Sequence, residues 1–407
     1  MRKLIVYILA LVSATTLHAA IWKTHFAYTN VEQIAVTPNE VFGLSDGSLY
    51  SVNKQTEKLS LWGLSSGLHS TGICCIGFDS RTETLIIMYN NGKMDLMRGQ
   101  NITYVGDLYL EDMTASKRAN TITFHNGLVY LGMPFGIMTF DLDKREFPDT
   151  WYIGAEASEQ NIQSIFFESN TIYAATDSLL FSAELDSNLV DFRVWDEQPL
   201  PTAGHLYNLL TAAKAQAKSV TEGAYTWQAA GAQGISKTGL GHTQMYKPDG
   251  PLDNNPYRMY YQGGKLYVLP GARWAVQSWN PGQVSFFDQG RWFHITNDYI
   301  QSRIGARAFD FMNIAVKPDD PNMFYVTSYG TGLYLFRNTV IQDHWMPENS
   351  GLQPAAPTVP EWYTRTDGAV FDSLGNLWMM NCSGAVDELL CIRRPDGSWF
   401  NLNATID

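Results

Sequence analysis

The side chains best suited to recognition chemistry gather in one stretch, residues 271–283 (GARWAVQSWNPGQ). Arg273, Trp274 and Trp279 fall there in a loop, outside any alternating strand pattern. Trp and Arg dominate binding hot spots, and a Trp face also stacks on sugar rings. These three are the candidate ligand- or partner-binding residues, against the alternative that the rings fold back as packing. Catalysis needs a convergent set, and none is present. There is no His-Glu-x-x-His pair, phosphate-cradling Gly loop or paired-Cys zinc site. The eight histidines are scattered, which suits surface or satisfied core residues. Asp141 with Asp143 and Asp319 with Asp320 resemble fragments of calcium loops, but a hard cation needs 6–8 oxygens. Two carboxylates in a turn are more simply turn formers. No metal or cofactor is expected beyond the remote case of a structural calcium. The chain therefore reads as a non-enzymatic binding protein.

The elements that must hold that loop repeat along the chain. The phrase is an alternating apolar run, a tight turn and a second alternating run, as in residues 40–52 (EVFGLSDGSLYSV) and 84–97 (TLIIMYNNGKMDLM). It recurs at 128–141, 171–185, 224–237, 265–288 with an enlarged turn, 323–336 and 376–392. The turns fall at Gly47, Gly92, Gly136, Ser178, Gly234, Gly282, Gly332 and Gly384, spaced by 42 to 56 residues. That spacing suits a four-stranded propeller blade, whereas an immunoglobulin array repeats at about 100 residues. Asp-Gly and Asn-Gly at the first two turns meet the positive φ of a type I′ hairpin. Upstream runs such as 31–36 (VEQIAV), 72–78 (GICCIGF) and 311–316 (FMNIAV) supply inner strands. Downstream runs such as 59–62 and 291–295 supply outer ones.

The expected fold is all-β, a seven-bladed or eight-bladed β-propeller of four-stranded antiparallel blades. Eight units are counted, so residues 20–365 form the propeller. Residues 366–407 are then its last blade or the first blade of a second propeller. A strand around residues 22–28 is a further way to complete the last blade. One helical insertion is expected over residues 204–218 (GHLYNLLTAAKAQAK), where apolar residues fall at helical spacing. The alternative there is an inner strand followed by a short helix.

Composition agrees. Aromatics are 13% and charged residues only 17%, which excludes disorder. The net charge of −12 disfavours nucleic acid, which selects a basic footprint. Arg2 and Lys3, an apolar run from Leu4 to Val12 and a small-residue site at Ala19 predict a signal peptide over residues 1–19. That run is shorter than the roughly 20 residues of a membrane helix, so an exported chain with no transmembrane span is expected. Cys74 and Cys75 are adjacent in a strand and should point to opposite faces. Cys382 and Cys391 fit either a cross-hairpin disulfide or two buried small hydrophobes.

Several phrases carry a family resemblance. Residues 22–62 (WKTHFAYTNVEQIAVTPNEVFGLSDGSLYSVNKQTEKLSLW) and 67–79 (GLHSTGICCIGFD) resemble the PorZ family of the Por, or type IX, secretion system. Residues 255–274 (NPYRMYYQGGKLYVLPGARW) fit the same family. Residues 368–381 (GAVFDSLGNLWMMN) do too, and also look like the two-component-regulator propeller repeat. The resemblance implies an exported protein of two propellers and a C-terminal β-sandwich, placed in the periplasm and at the outer-membrane surface. Its implied partners are a PorU-like sortase, PorV, PorQ and anionic lipopolysaccharide. It implies no catalytic residues. The chain ends at Asp407, near the completion of one propeller, so a fragment or a short relative is expected. The alternative is the sensor propeller of a hybrid two-component regulator that binds a glycan.

Overall fold

The computed structural model describes residues 23–272, 277–381 and 390–402. The expected signal peptide lies outside these residues, and so does Cys382 of the expected Cys382–Cys391 pairing.

Strands dominate, and every one belongs to an antiparallel meander. Sheets 1 to 4 span residues 31–62, 73–105, 121–151 and 164–199, and sheets 5 and 6 span 219–246 and 258–295. Sheets 7 (311–345) and 8 (364–402) each hold four strands and join into one eight-stranded sheet. The junction is Tyr329 opposite Arg365 and Gly330 opposite Thr364. The short helices are α1 (Asp107–Leu110), α2 (Gly204–Gln216), α3 (Asn297–Ile304) and α4 (Pro360–Tyr363). No helix among the described residues is long and apolar enough to cross a membrane.

The chain divides into two compact units, one of residues up to His25 plus Gln33–Lys218, the other of Phe26–Glu32 plus the chain from Ser219 onward. Each has cores between consecutive sheets. In the first unit, strand Thr84–Tyr89 shows why both faces are apolar. Leu85, Ile87 and Tyr89 join the core shared with sheet 1, while Ile86 and Met88 join the core shared with sheet 3. A strand covered on both faces loses the polar side of the usual alternation. Sheets 3 and 4 share a further core around Ile137, Trp151 and Phe181. In the second unit, sheets 6 and 7 pack through Tyr267, Phe286 and Phe324, and sheets 7 and 8 through Tyr325, Trp345 and Met379.

Four expectations need correction or sharpening. At the first hairpin Asp46 (φ 49) and Gly47 (φ 74) both take positive φ, as a type I′ turn requires. At the second only Gly92 does (φ 85), while Tyr89 N–H bonds the Lys93 carbonyl. That is a three-residue loop ending in a left-handed glycine, because the register set by Met88 opposite Met94 leaves room for three. Cys74 and Cys75 do not part to opposite faces. A bulge between Ile73 and Cys75 rotates the strand, and both thiols enter the core between sheets 2 and 3. Residues 23–30 form no strand; in the second unit the side chain of Asn254 instead brackets the Ala27 backbone N–H and carbonyl. Helix α2 is the inserted element, for the inner strand of sheet 5, Ser219–Glu222, follows it. The helix buries Leu210 with Phe166, Ala175 and Leu180 of sheet 4.

Candidate functional site

Loop 270–283 leaves sheet 6 after strand Lys265–Leu269 and returns at Val284–Asp288. A meander alternates direction, so this loop emerges at the same end as the connections leading into sheets 7 and 8. Those connections carry segment 305–310 and helix α4, and they meet the loop.

Asp310 fixes the loop. The residue is fully buried at φ 48, and its carboxylate faces the returning backbone. One oxygen accepts the N–H groups of Ser278 (2.9 Å) and Trp279 (3.1 Å), the other that of Asn280 (2.9 Å). Burial pushes the Asp310 carboxyl above the usual carboxylate range, and the three N–H donors pull against that shift. Asn280 adds a bond from its amide to the Pro270 carbonyl (2.9 Å), closing the loop at its other end. Gln277 is buried and donates to the Trp362 carbonyl (2.7 Å).

The backbone so held aims Trp279 outward. Its φ is 61, and the residue stays 48% exposed although its ring centroid lies 4.7 Å from Phe309 and 5.2 Å from Trp362. Phe309 is buried against Gly330, where an added Cβ would come within 2.2 Å of the ring. Only glycine admits that ring beneath the two tryptophans. The exposed Arg307 guanidinium lies 4.9 Å from the half-buried Trp362 ring. Below, buried Arg365 stacks on Tyr329 (4.7 Å) and Tyr363 (5.3 Å) and reaches the Gln277 amide oxygen at 3.5 Å. Neither arginine has a carboxylate within 4.0 Å among the described residues. An exposed indole, a second indole edge-on to it and the exposed Arg307 guanidinium can stack on and attract a partner, while Arg365 is buried beneath them. They offer no acid and base pair for chemistry.

Of the three residues expected here, Trp279 is found both exposed and packed, while Arg273 and Trp274 lie outside the described residues. Trp362, Arg307, Phe309 and Arg365 were not foreseen. The aromatic pair in Pro360–Tyr363 (PEWY), set in a connection rather than a strand, was the available signal. The carboxylates weighed for calcium are otherwise engaged. Asp141 accepts the N–H groups of Asp143 and Lys144, and Asp143 pairs with Arg81. Asp319 pairs with Lys317, and Asp320 with Arg337. The half-exposed His69 ring bonds buried Asp95 (2.7 Å), which also accepts from Tyr89. His344 is half-buried and stacked on Tyr334, and burial lowers its pKa.

Residues 41–196 match the family described as the type IX secretion system PorZ, N-terminal β-propeller domain. The propeller is PorZ-like. The solved structure of PorZ from Porphyromonas gingivalis superposes with a TM-score of 0.78 at 21% identity over 95% of this chain. The chain covers 60% of that PorZ structure, which is described as an essential bacterial surface component of the type-IX secretion system. The extracellular domain of a one-component system from B. thetaiotaomicron aligns at 11% identity with a TM-score of 0.34, over 92% of this chain and 55% of that one. No curated protein matches the chain in sequence. The PorZ likeness gives the meanders their meaning as propeller blades, and places loop 270–283 and α4 among blade connections.

Proposed function

We propose that the chain is a non-catalytic binding component of a type IX secretion attachment complex, exported to the outer-membrane surface. Its candidate docking site is the patch of Trp279, Trp362 and Arg307. The observation that carries the reading is the PorZ-type domain over residues 41–196, and the exposed aromatic patch, with stacking rings and a cation but no acid and base pair, supports it. Burying an aromatic anchor of this kind is worth about 2 kcal/mol or more at a hot spot. The family partners, a PorU-like sortase, PorV, PorQ and anionic lipopolysaccharide, are proposed as the occupants. The exposed Arg307 favours an acidic one, against an overall charge of −12. Sheets 1 to 7 are read as the wheel and sheet 8 as either its last blade or the first of a second. The Tyr329–Arg365 pairing supports a junction there.

Titrating the purified chain with each candidate partner separately, by intrinsic fluorescence, tests the site. At least one partner should quench Trp emission and bind saturably, and Trp279→Ala should weaken it about tenfold or more. The side chain is half exposed, so the variant should lose some melting temperature but remain folded at the temperature of the titration. Equal affinity of Trp279→Ala for every partner that binds would remove the patch from the account.

A further inference from the structure

At the opposite end of sheets 7 and 8 from the aromatic patch lies a cavity of about 460 Å³, framed by three hairpin turns. Tyr325, Phe371 and Leu377 give it an apolar floor. Arg393, Arg394 and Lys317 bring cations to its wall. The volume falls in the range of small-molecule sites, about 300–1,000 Å³.

The charges in the cavity do not cancel. Lys317 is paired with Asp319 at 2.7 Å. Asp372 is occupied by its own turn, accepting the N–H groups of Leu374 and Asn376, the Asn376 amide and the Trp378 indole. Arg393 is half buried. Its guanidinium carbon lies 4.4 Å from the Trp345 ring centroid, and one amino group bonds the Tyr325 hydroxyl at 3.3 Å. Its Nε is buried with no hydrogen-bond partner. Arg394 is exposed above Phe400. Neither arginine has a carboxylate within 4.0 Å among the described residues. A half-buried guanidinium with an unsatisfied N–H is costly unless an anion completes it. Three cations and two carboxylates line the cavity, and Asp396 in the same turn interacts with Arg394, so the group most in need of an anion is the Arg393 fork.

We propose that this cavity binds a carboxylate carried on an apolar group, with Arg393 and Arg394 holding the anion and Phe371 and Leu377 the apolar arm. The planar fork of an arginine matches a carboxylate in two parallel bonds. Leu374, 78% exposed at the lip, would cover the arm. The site is separate from the aromatic patch, and either can fail without the other.

The probes are 3-phenylpropionate, its amide, N-acetylphenylalanine and inorganic phosphate, titrated calorimetrically into the mature chain. One or both acids should bind saturably and the amide at least tenfold more weakly. Tighter binding of N-acetylphenylalanine would mark a peptide terminus as the source, and tighter binding of phenylpropionate a free acid. Arg393→Lys keeps the charge and loses the fork, so it should weaken the acids about fivefold or more. Arg394→Gln is a surface change that leaves folding intact and should weaken them similarly. Equal binding of acid and amide, phosphate binding tighter than both acids, no acid binding, or unchanged affinity in Arg394→Gln would overturn the proposal.

Discussion

Asp310 shows how one buried side chain decides what a loop presents. Its carboxylate replaces the strand partner that three consecutive N–H groups lack, and Trp279 is turned outward as a result. Asp310→Ala orphans those donors and should lower unfolding free energy by about 2–4 kcal/mol in urea titration. Asp310→Asn keeps an acceptor and should cost less. Little of this was legible beforehand, because an Asp in a Phe-Asp-Phe run signals neither burial nor a distant loop. Trp279 was legible as a loop tryptophan, but its neighbours Phe309 and Trp362 are 30 and 83 residues away. Asp372 makes a second case. Bonds from the Trp378 indole and the Asn376 amide hold its carboxyl down to about 2. A carboxyl lowered on folding stabilises above its unfolded value of about 4 and loses that contribution as pH falls towards about 2. Trp378→Phe removes the largest cause, so its melting temperature should fall less than the wild type's between those values. An identical acid profile would contradict the assignment.

Among the elements, inner and outer strands were legible because alternation and turn chemistry agree. Runs 31–36, 59–62 and 291–295 are strands with those bounds. Departures came where one residue was inserted or a loop lengthened, as at Cys74 and Gly92. Periodicity cannot see either, since a bulge and a three-residue turn preserve the apolar composition on both sides. Helix α2 was recognisable from its spacing, yet only the structure places it before the inner strand of sheet 5. Its hold on sheet 4 rests on Leu210, the one buried residue of the helix. Leu210→Ala should destabilise by about 2–4 kcal/mol in urea unfolding. The loss should appear as early hydrogen exchange in α2 and strand Ser164–Glu168 rather than in sheets 1 to 3.

At the scale of the molecule, each compact unit is layered, with apolar cores between successive sheets. Such a body has few constraints on its connections, and binding residues can be grafted there without disturbing the blades. The unneutralised arginines at the aromatic patch and at the cavity of sheets 7 and 8 stand against a chain of net charge −12. On the two proposals made above, they would serve acidic partners at opposite ends of sheets 7 and 8. The repeat was readable from units spread over residues 40–392 and the family likeness chiefly from residues 22–79, which overlap the start of the PorZ match over residues 41–196. The most direct test of the central claim is recovery of partners by the mature chain from detergent-solubilised outer membrane of its own bacterium, quantified by mass spectrometry. The account predicts enrichment of the sortase complex or anionic lipopolysaccharide over a control propeller, about tenfold reduced by Trp279→Ala. Recovery of neither, at the control level, would contradict it.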